Sequence, residues 1–387
     1  MDKIQRVEVH EYDYRIEGLE LGHGGHRHLR SGAFTTLSNS VVVIRTAAGA
    51  VGEYACSFGG KPAILSQVLM TAPLLLGQNP DHREALYNEM KRYTRQWGFL
   101  GVGPLDIALW DLAGRSLGAS VSRLLGGFRD RIPAYVSTQF GAEAGEFSTK
   151  EHYAAFAEQS YEAGFRGFKM HGWAGGDVRR EADNVLHVAG SIGNRMKLML
   201  DPSCEIRTFA DGLFLGRACD EAGLFWLEDP MMDGGVSQHL YRKLREMIRT
   251  PLLLTEHVRG VEPKADWIAS GATDFVRADP ELDLGITGTM KIAHLAEAFG
   301  LDCELHAVGP AHRHCIAAMR NTNFYELALL APGAPNPVPP VFENYSDQFE
   351  DVGADGCFEV PQGPGLGVTI DWDFVRSRTV RTHVFEH

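Results

Sequence analysis

The chain has 387 residues, of which 44% are hydrophobic and 22% are charged, and its formal net charge is −13 at pH 7. A chain of this length exceeds one small core, so a large domain with a second, smaller domain is expected. The acidic balance argues against nucleic acid or an anionic membrane surface as the main partner. An acidic small molecule remains compatible with it, because a local site can invert the sign of the charge.

The cysteine pattern and the apolar pattern both bear on location. Six cysteines are scattered without CxxC spacing, which predicts a reducing cytosol and argues against a thiolate metal site. The first residues alternate apolar and polar side chains and lack the apolar stretch of a signal peptide. No apolar run reaches the roughly 18 residues that a membrane span needs. We therefore expect a cytoplasmic protein without a membrane segment.

Residues 1 to about 55 are predicted to form antiparallel strands, because IQRVEVHEY and NSVVVIRTAAGAVGEY alternate apolar and polar residues. The segment between them, LGHGGHRHLRSGAF, is rich in glycine and basic residues. A mobile loop is favoured over a metal site there, because glycines at this density resist fixed ligand geometry. Such a loop could fold over a cavity in the large domain and offer basic side chains to an anionic substrate. The candidates are His26, His28 and Arg30.

Apolar residues at three-to-four spacing then predict helices from residue 61 to about 125. After a first strand, RIPAYVSTQFG, the chain repeats short apolar segments that each end on a charged residue or a histidine. The steps between successive markers range from 32 (Lys169 to Asp201) to 20 (His306 to Glu326). Such steps suit a strand, a helix and two loops, with each strand buried on both faces. The markers are Lys169 with His171, Asp201, Glu228, Glu256, Asp279, His306 and Glu326.

This repeat predicts an α/β barrel of parallel strands, in which polar residues at the C-terminal strand ends meet in one mouth. After Glu326 the chain becomes proline-rich, and the last thirty or so residues are predicted to return to the N-terminal domain. The GPGLG tract within them is predicted to be a plain turn, because no GK[ST] and no helix follow it. The expected division is residues 1–129, 130–340 and 341–387.

Three of the markers, Asp201, Glu228 and Glu256, are carboxylates at the ends of successive strands. Brought together, they would repel one another strongly unless a cation neutralised them. Oxygen ligands without cysteine favour Mg²⁺ over zinc. Any one of them alone could be an ordinary helix cap, but three in consecutive units favour a metal site.

The other markers offer acid, base and anchoring groups. Lys169 and His171 alternate on one strand and so face the same way. Beside a metal the lysine could hold a substrate carboxylate and the histidine could act as acid or base, although a core histidine bonded to a carbonyl is the alternative. Asp279 and His306 end neighbouring strands, and the carboxylate would make the imidazole a stronger base unless the pair is merely structural. Glu326 could hydrogen-bond a substrate oxygen or cap a helix.

Together these groups suit removal of a proton α to a carboxylate. That proton is weakly acidic, so the resulting ene-diolate must be stabilised electrostatically. A divalent cation on the carboxylate oxygens would do this while a nearby histidine or lysine takes the proton.

The same stretches resemble the enolase superfamily, in its mandelate racemase and muconate lactonizing enzyme subgroup. The motifs are PLDIALWDLAGRSLGASVSRLLGG, LMLDPS, WLEDP, LLTEH, VRADPE with ELH, and GPGLGV. The resemblance implies a modified TIM barrel, (β/α)₇β, under an α+β capping domain built from the N-terminal region and the C-terminal tail. It also implies Mg²⁺ on the three carboxylates, a base at His306 supported by Asp279, Glu326 as a hydrogen-bond donor, and a homo-oligomer.

Two positions depart from the pattern of that family. Its second strand often carries Lys-x-Lys, where this chain has Lys169-Met170-His171, so Lys169 matches the residue that contacts the carboxylate and His171 takes the place of a base. Its third strand often reads Asp-x-Asn, and Ser203 stands here for the asparagine. Racemisation between a lysine and a histidine is therefore put in doubt, although a version with two histidines remains open.

The predicted function is Mg²⁺-dependent dehydration of a sugar acid or other hydroxy acid to a 2-keto acid. The polar, histidine-rich segment near residues 22–30 favours a hydroxylated anion over a greasy substrate. The alternative within the same superfamily is a racemase or epimerase with His171 and His306 on opposite faces of the substrate. A further alternative is a non-catalytic homologue that binds a small-molecule carboxylate.

Overall fold

The structure is a computed structural model that describes residues 2–21, 27–57, 62–143, 145–173, 175–334 and 338–387. It contains two sheets, a small antiparallel one and a large parallel one. No helix in these ranges combines the length and the apolar character that crossing a membrane requires.

The small sheet has four antiparallel strands in the order β13-β1-β2-β3. Alternation of apolar and polar residues builds it, with Val7, Val9 and Ile44 among the buried side chains. The last strand pairs with the first, so that Glu386 lies opposite Arg6. The strands are β1 (Ile4–Leu21), β2 (Arg27–Thr46), β3 (Val51–Ala55) and β13 (Thr379–Glu386).

The loop predicted across the glycine-rich segment is wrong from Arg27 onward, because β2 begins there and pairs with the end of β1. Leu19 is buried, and the Thr35 hydroxyl donates a hydrogen bond to the Leu19 carbonyl at 2.8 Å. Ladder hydrogen bonds and this burial outweigh the flexibility that glycine and polar residues bring.

Four helices follow the small sheet and pack it against the large one. The third is almost wholly buried, and two of its carboxylates bridge the parts of the protein. Asp106 accepts hydrogen bonds from the backbone N–H and hydroxyl of Thr287, and Asp111 accepts from the backbone N–H of Leu366. Burial raises the pKa of Asp106 to about 7. The helices are α1 (Pro62–Thr71), α2 (Arg83–Thr94), α3 (Val102–Leu117) and α4 (Val121–Leu124).

The GPGLG tract forms the predicted turn, and the turn packs on α3. Gly365 has φ +71°, and a Cβ added there would lie 2.2 Å from Oδ1 of Asp111. Only glycine fits this close approach.

The large sheet has eight parallel strands in the order β11-β4-β5-β6-β7-β8-β9-β10. No ladder between β10 and β11 is present among the described residues, so the sheet is curled rather than closed by hydrogen bonds. The predicted α/β fold with a parallel barrel-like sheet and a capping sheet is confirmed. The strands are β4 (Arg131–Thr138), β5 (Gly167–His171), β6 (Lys197–Asp201), β7 (Trp226–Glu228), β8 (Leu252–Leu254), β9 (Phe275–Ala278), β10 (Asp302–Leu305) and β11 (Tyr325–Leu330).

One helix connects each strand of the large sheet to the next. Three of these helices begin after Asp177, Thr208 and Ser237, whose side chains accept hydrogen bonds from backbone N–H groups of the first turn. The helices are α5 (Lys150–Glu162), α6 (Val178–Ile192), α7 (Phe209–Ala222), α8 (Gln238–Arg245), α9 (Val261–Ala269), α10 (Gly285–Ala298) and α11 (Pro310–Ala318).

The inside of the curled sheet is filled below its C-terminal edge by fully buried side chains of four different strands: Tyr135, Met199, Trp226 and Leu253. Lys169 lies directly above this layer, with Nζ 5.5 Å from the centre of the Tyr135 ring. The apolar layer therefore forms a floor, and the charged residues stand on it.

The chain after residue 340 contacts both sheets. Strand β12 (Cys357–Glu359) pairs antiparallel with β4 of the large sheet, whereas helix α12 (Trp372–Arg378) leads into β13 of the small sheet. The exact domain boundaries expected from the sequence stay a prediction.

Candidate active site

A cavity of about 450 Å³ opens at the C-terminal edge of the parallel strands. This is the edge at which the sequence analysis placed the chemistry. Six of the predicted site residues line it: Lys169, His171, Asp201, Glu256, His306 and Glu326.

The three strand-end carboxylates lie together. Asp201 is the last residue of β6, Glu228 is the last of β7, and Glu256 follows β8 by two residues. One carboxylate oxygen from each lies within 4.8 Å of the other two. Oxygen donors this close, on three adjacent strands and largely out of water, fit a hard divalent cation such as Mg²⁺. Without a cation they would repel one another.

The electrostatics of the three carboxylates differ. Burial raises the pKa of Glu228 despite the nearby Arg277 and Lys169. Burial opposes ionisation of Asp201 as well, but the charges of His171 and Lys169 hold its pKa below the ordinary value. Ser203 takes part through its backbone, whose N–H donates to Oδ1 of Asp201 at 2.7 Å.

Lys169 is a buried cation among acids. Its Nζ lies 2.8 Å from Oε2 of Glu228 and 2.9 Å from Oε1 of Glu326. Burial alone would lower the pKa of Lys169, but these two carboxylates raise it well above the ordinary value. The lysine is therefore charged and stands where it can attract an anionic group.

A second buried cation, Arg277, was missed by the sequence analysis. Its Nε lies 2.8 Å from Oε1 of Glu228, and its Nη2 lies 2.6 Å from Oε2 of Glu326. The signal was present in DFVRAD, where an arginine stands inside an otherwise apolar strand. A buried arginine needs acidic partners, so its position pointed to carboxylates on other strands.

His306 and Asp279 form the predicted pair. Nδ1 of His306 lies 2.8 Å from Oδ2 of Asp279. A carboxylate only accepts, so Nδ1 carries the proton and Nε2 is the nitrogen left for the cavity, 3.5 Å from Oε1 of Glu256. Burial alone would lower the pKa of His306, but Glu256 and Asp279 raise it to about 9.

His171 is held differently. Its Nδ1 lies 2.7 Å from the carbonyl oxygen of Thr138, so Nδ1–H donates there and Nε2 faces Oδ2 of Asp201 at 3.2 Å. The Tyr153 hydroxyl donates a hydrogen bond to the backbone carbonyl of His171 at 2.5 Å, which helps to hold the end of β5 in place. The carbonyl contact matches the core-histidine alternative, yet the ring also lines the cavity.

Glu326 lies in the site, although the prediction that it ends the eighth strand is wrong. It is the second residue of β11, which continues to Leu330. Its side chain reaches Lys169 because Lys169 also lies inside its strand, two residues before the end. Burial alone would raise the pKa of Glu326, but Arg277 and Lys169 hold it well below the ordinary value. The carboxylate is therefore ionised and accepts hydrogen bonds, including one from the Ala307 N–H at 2.8 Å.

The backbone beside the site is strained. Six residues other than glycine adopt positive φ next to the strand ends, a conformation that costs energy and is often found at functional sites. The residue types at these positions do not predict positive φ angles. These residues are Ser203, Cys204, Asp229, Thr255, Ala307 and Leu329.

Three candidate substrate-binding residues, His26, His28 and Arg30, come from the capping domain. His26 lies outside the described residues, and only the backbone of His28 is described. Arg30 is exposed, and its Nη1 donates to Oε1 of Glu20 at 2.7 Å. Their contacts with a substrate stay a prediction.

Comparisons with known proteins agree with this geometry. Residues 152–374 match the family model described as enolase C-terminal domain-like, and residues 27–126 match the N-terminal domain of mandelate racemase and muconate lactonizing enzyme. The solved structure of D-glucarate dehydratase from Agrobacterium tumefaciens, complexed with magnesium, is 31% identical in sequence. It covers 98% of this chain and 99% of its own, with a TM-score of 0.87.

Two further relatives are similar to most of this chain. D-gluconate dehydratase of Thermoproteus tenax is 26% identical over 80% of this chain, and the matched region spans 63% of that relative's length. D-galactarolactone cycloisomerase of Agrobacterium fabrum is 26% identical over 88% of this chain and 91% of its own length. Because the family models together cover most of the chain, it belongs to the enolase superfamily, in its mandelate racemase and muconate lactonizing enzyme group.

Proposed function

We propose that this protein is a Mg²⁺-dependent carbon–oxygen lyase that dehydrates a sugar acid or other hydroxy acid to a 2-keto acid. The observation that carries the proposal is a three-carboxylate cluster beside the His306–Asp279 pair, with Asp201, Glu256 and His306 lining one cavity. The similarity to D-glucarate and D-gluconate dehydratases supports it.

The carboxylates of Asp201, Glu228 and Glu256 would hold the Mg²⁺. When bound, this ion would supply positive charge to offset the charge that develops on the substrate carboxylate. The buried ammonium of Lys169 would orient that carboxylate. The magnesium reported for the D-glucarate dehydratase structure supports this assignment.

The proton chemistry falls to the histidines. Nε2 of His306 would take the α proton, leaving the electrons of the broken C–H bond in the ene-diolate. Expulsion of the β-hydroxyl, protonated by His306 or by His171, would release water and an enol. The enol then takes a proton at the β carbon to give the 2-keto acid. Asp279 would keep the imidazolium oriented throughout.

Glu326 has a different role in this proposal from the hydrogen-bond donor that the family resemblance implied. An ionised carboxylate cannot donate. With Arg277 and Lys169 on either side, it would hold Lys169 in place for the substrate. His26, together with His28 and Arg30 of β2, would contact the distal hydroxyls of the substrate.

The test is a panel of acid sugars assayed for 2-keto acid formation, with His306→Asn as the blank. We expect product from at least one acid, loss of activity on removal of divalent ions with a chelator, and recovery on addition of Mg²⁺. Calorimetric binding of Mg²⁺ without turnover across the panel would contradict the lyase proposal and favour the non-catalytic binding homologue.

A racemase or epimerase is the second candidate, because His171 and His306 both line the cavity. Incubation in D₂O separates the two. Exchange of the α proton without loss of water would favour epimerisation, whereas a deuterated 2-keto product would favour dehydration. The similarity to D-galactarolactone cycloisomerase adds a third reaction, isomerisation of a sugar-acid lactone, to be tested in the same assay.

We also propose a cytoplasmic homo-oligomer. The six cysteines, all of which are free thiols, support the compartment. The family resemblance supports the assembly. Sedimentation equilibrium at several concentrations tests the assembly, and a single monomeric species would exclude it.

A further inference from the structure

A fully buried imidazole, that of His312, lies on the other side of Asp279 from His306. It belongs to the first turn of α11. Its Nε2 lies 3.7 Å from Oδ1 of Asp279, which is longer than a hydrogen bond. Neither of its ring nitrogens hydrogen-bonds to a described residue. A buried imidazole in this state is costly and calls for an explanation.

Asp279 lies between two imidazoles. Its Oδ2 bonds His306, while its Oδ1 accepts from the backbone N–H of Glu281 at 2.7 Å and faces His312. The two carboxylate oxygens are therefore divided between the base and the interior of the protein. A movement of less than 1 Å would bring His312 within hydrogen-bond distance of Oδ1.

The backbone around His312 leaves room for this ring. A Cβ added to Gly309 would lie 3.2 Å from Nδ1 of His312 and 3.0 Å from Oγ of Ser57. Gly309 has φ +140°, which residues with a side chain rarely adopt. Ser57 follows the capping strand β3. Gly309 therefore lies close both to the ring of His312 and to the end of the capping strand.

We infer that His312 is a positioning residue for the base, donating a hydrogen bond from Nε2 to Oδ1 of Asp279 in the working enzyme. The inference rests on the proposed function, because it assigns the base role to His306. With Oδ1 held by His312, Oδ2 stays directed at Nδ1 of His306. Outer partners of this kind orient the groups that touch the substrate.

Kinetics of matched variants test the inference. His312→Asn should lower kcat by about 10-fold with little change in KM, the lower end of what loss of such a partner costs. His312→Gln, whose longer amide can still reach Asp279, should keep most of the activity. The control is His314→Asn on the same helix, which should leave kcat near the wild-type value. Its ring contacts Ser122 and Leu366, outside the cavity.

A double-mutant cycle separates positioning from a general structural effect. If His312 acts through Asp279, His312→Asn should have no further effect on kcat once Asp279→Asn is present. Losses that simply multiply would overturn the inference.

A readout independent of turnover separates this inference from the proposed function. In ¹⁵N-histidine-labelled protein, the Nδ1 proton of His306 should resonate far downfield because it is bound to a carboxylate. His312→Asn should shift or broaden this resonance, whereas His314→Asn should not. An unmoved resonance would overturn the inference whatever the substrate screen finds. A moved resonance without turnover would leave the inference standing and count against the dehydratase.

Discussion

Two histidines of the same barrel unit, the half-buried His306 and the fully buried His314, behave in opposite ways. His306 faces carboxylates, and its pKa rises to about 9 although burial opposes this. His314 is held between the N–H of Ser122 and the carbonyl of Leu366, and burial lowers its pKa to about 4. The comparison shows that carboxylate partners can raise the pKa of an imidazole that burial alone would lower.

His171 falls between these two cases. One ring nitrogen faces a carbonyl, as in His314, and the other faces the carboxylate of Asp201, as in His306. Asp201 is also a proposed metal ligand, so its negative charge is shared. We therefore expect His171 to contribute less to proton transfer than His306.

The largest expected effect comes from removing the carboxylate-held histidine. His306→Asn should lower kcat for dehydration by roughly 10²- to 10⁴-fold, the contribution of a positioned base. The asparagine can still contact Asp279, so the thermal melting temperature should change little. Release of 2-keto acid measures the effect. If His306→Asn keeps most of the activity, His306 is not the base.

The next prediction extends the comparison to a group that is always charged. Arg277→Met leaves Glu228 and Glu326 buried without their arginine partner and should reduce the free energy of unfolding by about 3–5 kcal/mol. Urea denaturation measures the loss. Arg320→Met removes an exposed pair with Glu297 and should cost about 1 kcal/mol or less. Similar losses for the two variants would contradict the importance given to buried partners.

A third prediction concerns the neutral histidine. The pKa of His314 is about 4 in the folded protein, whereas the ordinary value is 6.5. Between these two pH values the unfolded chain is protonated at His314 and the folded protein is not. Stability is therefore fully present above pH 6.5 and falls by about 3 kcal/mol towards pH 4.

The measurement is the free energy of unfolding at pH 8, 6 and 5 for the wild type and for His314→Gln. The variant should be less stable at pH 8, and the gap should narrow as the pH falls. A gap that stays constant would show that His314 does not titrate in this way.

The smallest expected effect belongs to the intermediate histidine. His171→Asn should lower kcat by less than about 100-fold, the lower end of what a positioned acid or base supplies. Deuterium incorporation from D₂O into the product reports which face is protonated. If His171→Asn lowers kcat as much as His306→Asn does, the two histidines contribute equally and the expected difference between them is wrong.

The site residues that could be predicted are those in which a charged residue or a histidine follows a short apolar run. Asp201, Glu228 and Glu256 each follow a buried apolar run, and parallel strands bring such ends to one edge. His306 and Asp279 obey the same rule. This local rule needs no knowledge of how distant segments pack.

The rest depends on packing between segments far apart in the chain. Arg277 meets Glu228 and Glu326 only once the sheet has curled, so its partners were invisible from DFVRAD alone. Glu326 was placed at a strand end because the charged residue resembled the other markers, whereas β11 continues through an apolar stretch to Leu330. The pairing of β2 with β1 just after Arg27 was missed because glycine and basic residues hide the strand pattern there. The contact of His312 with Asp279 requires α11 to fold back on β9.

The pairing of β13 with β1 has a consequence for how the protein is made. Arg6 and Glu386, which face each other across these strands, are separated by 380 positions. The capping sheet therefore joins a strand that precedes the barrel in the chain to one that follows it, so it cannot be completed until the chain beyond the barrel has emerged. Contacts at such separation form late and slowly. We expect the pairing of β13 with β1 to form late in folding, after the strands of the large sheet have paired.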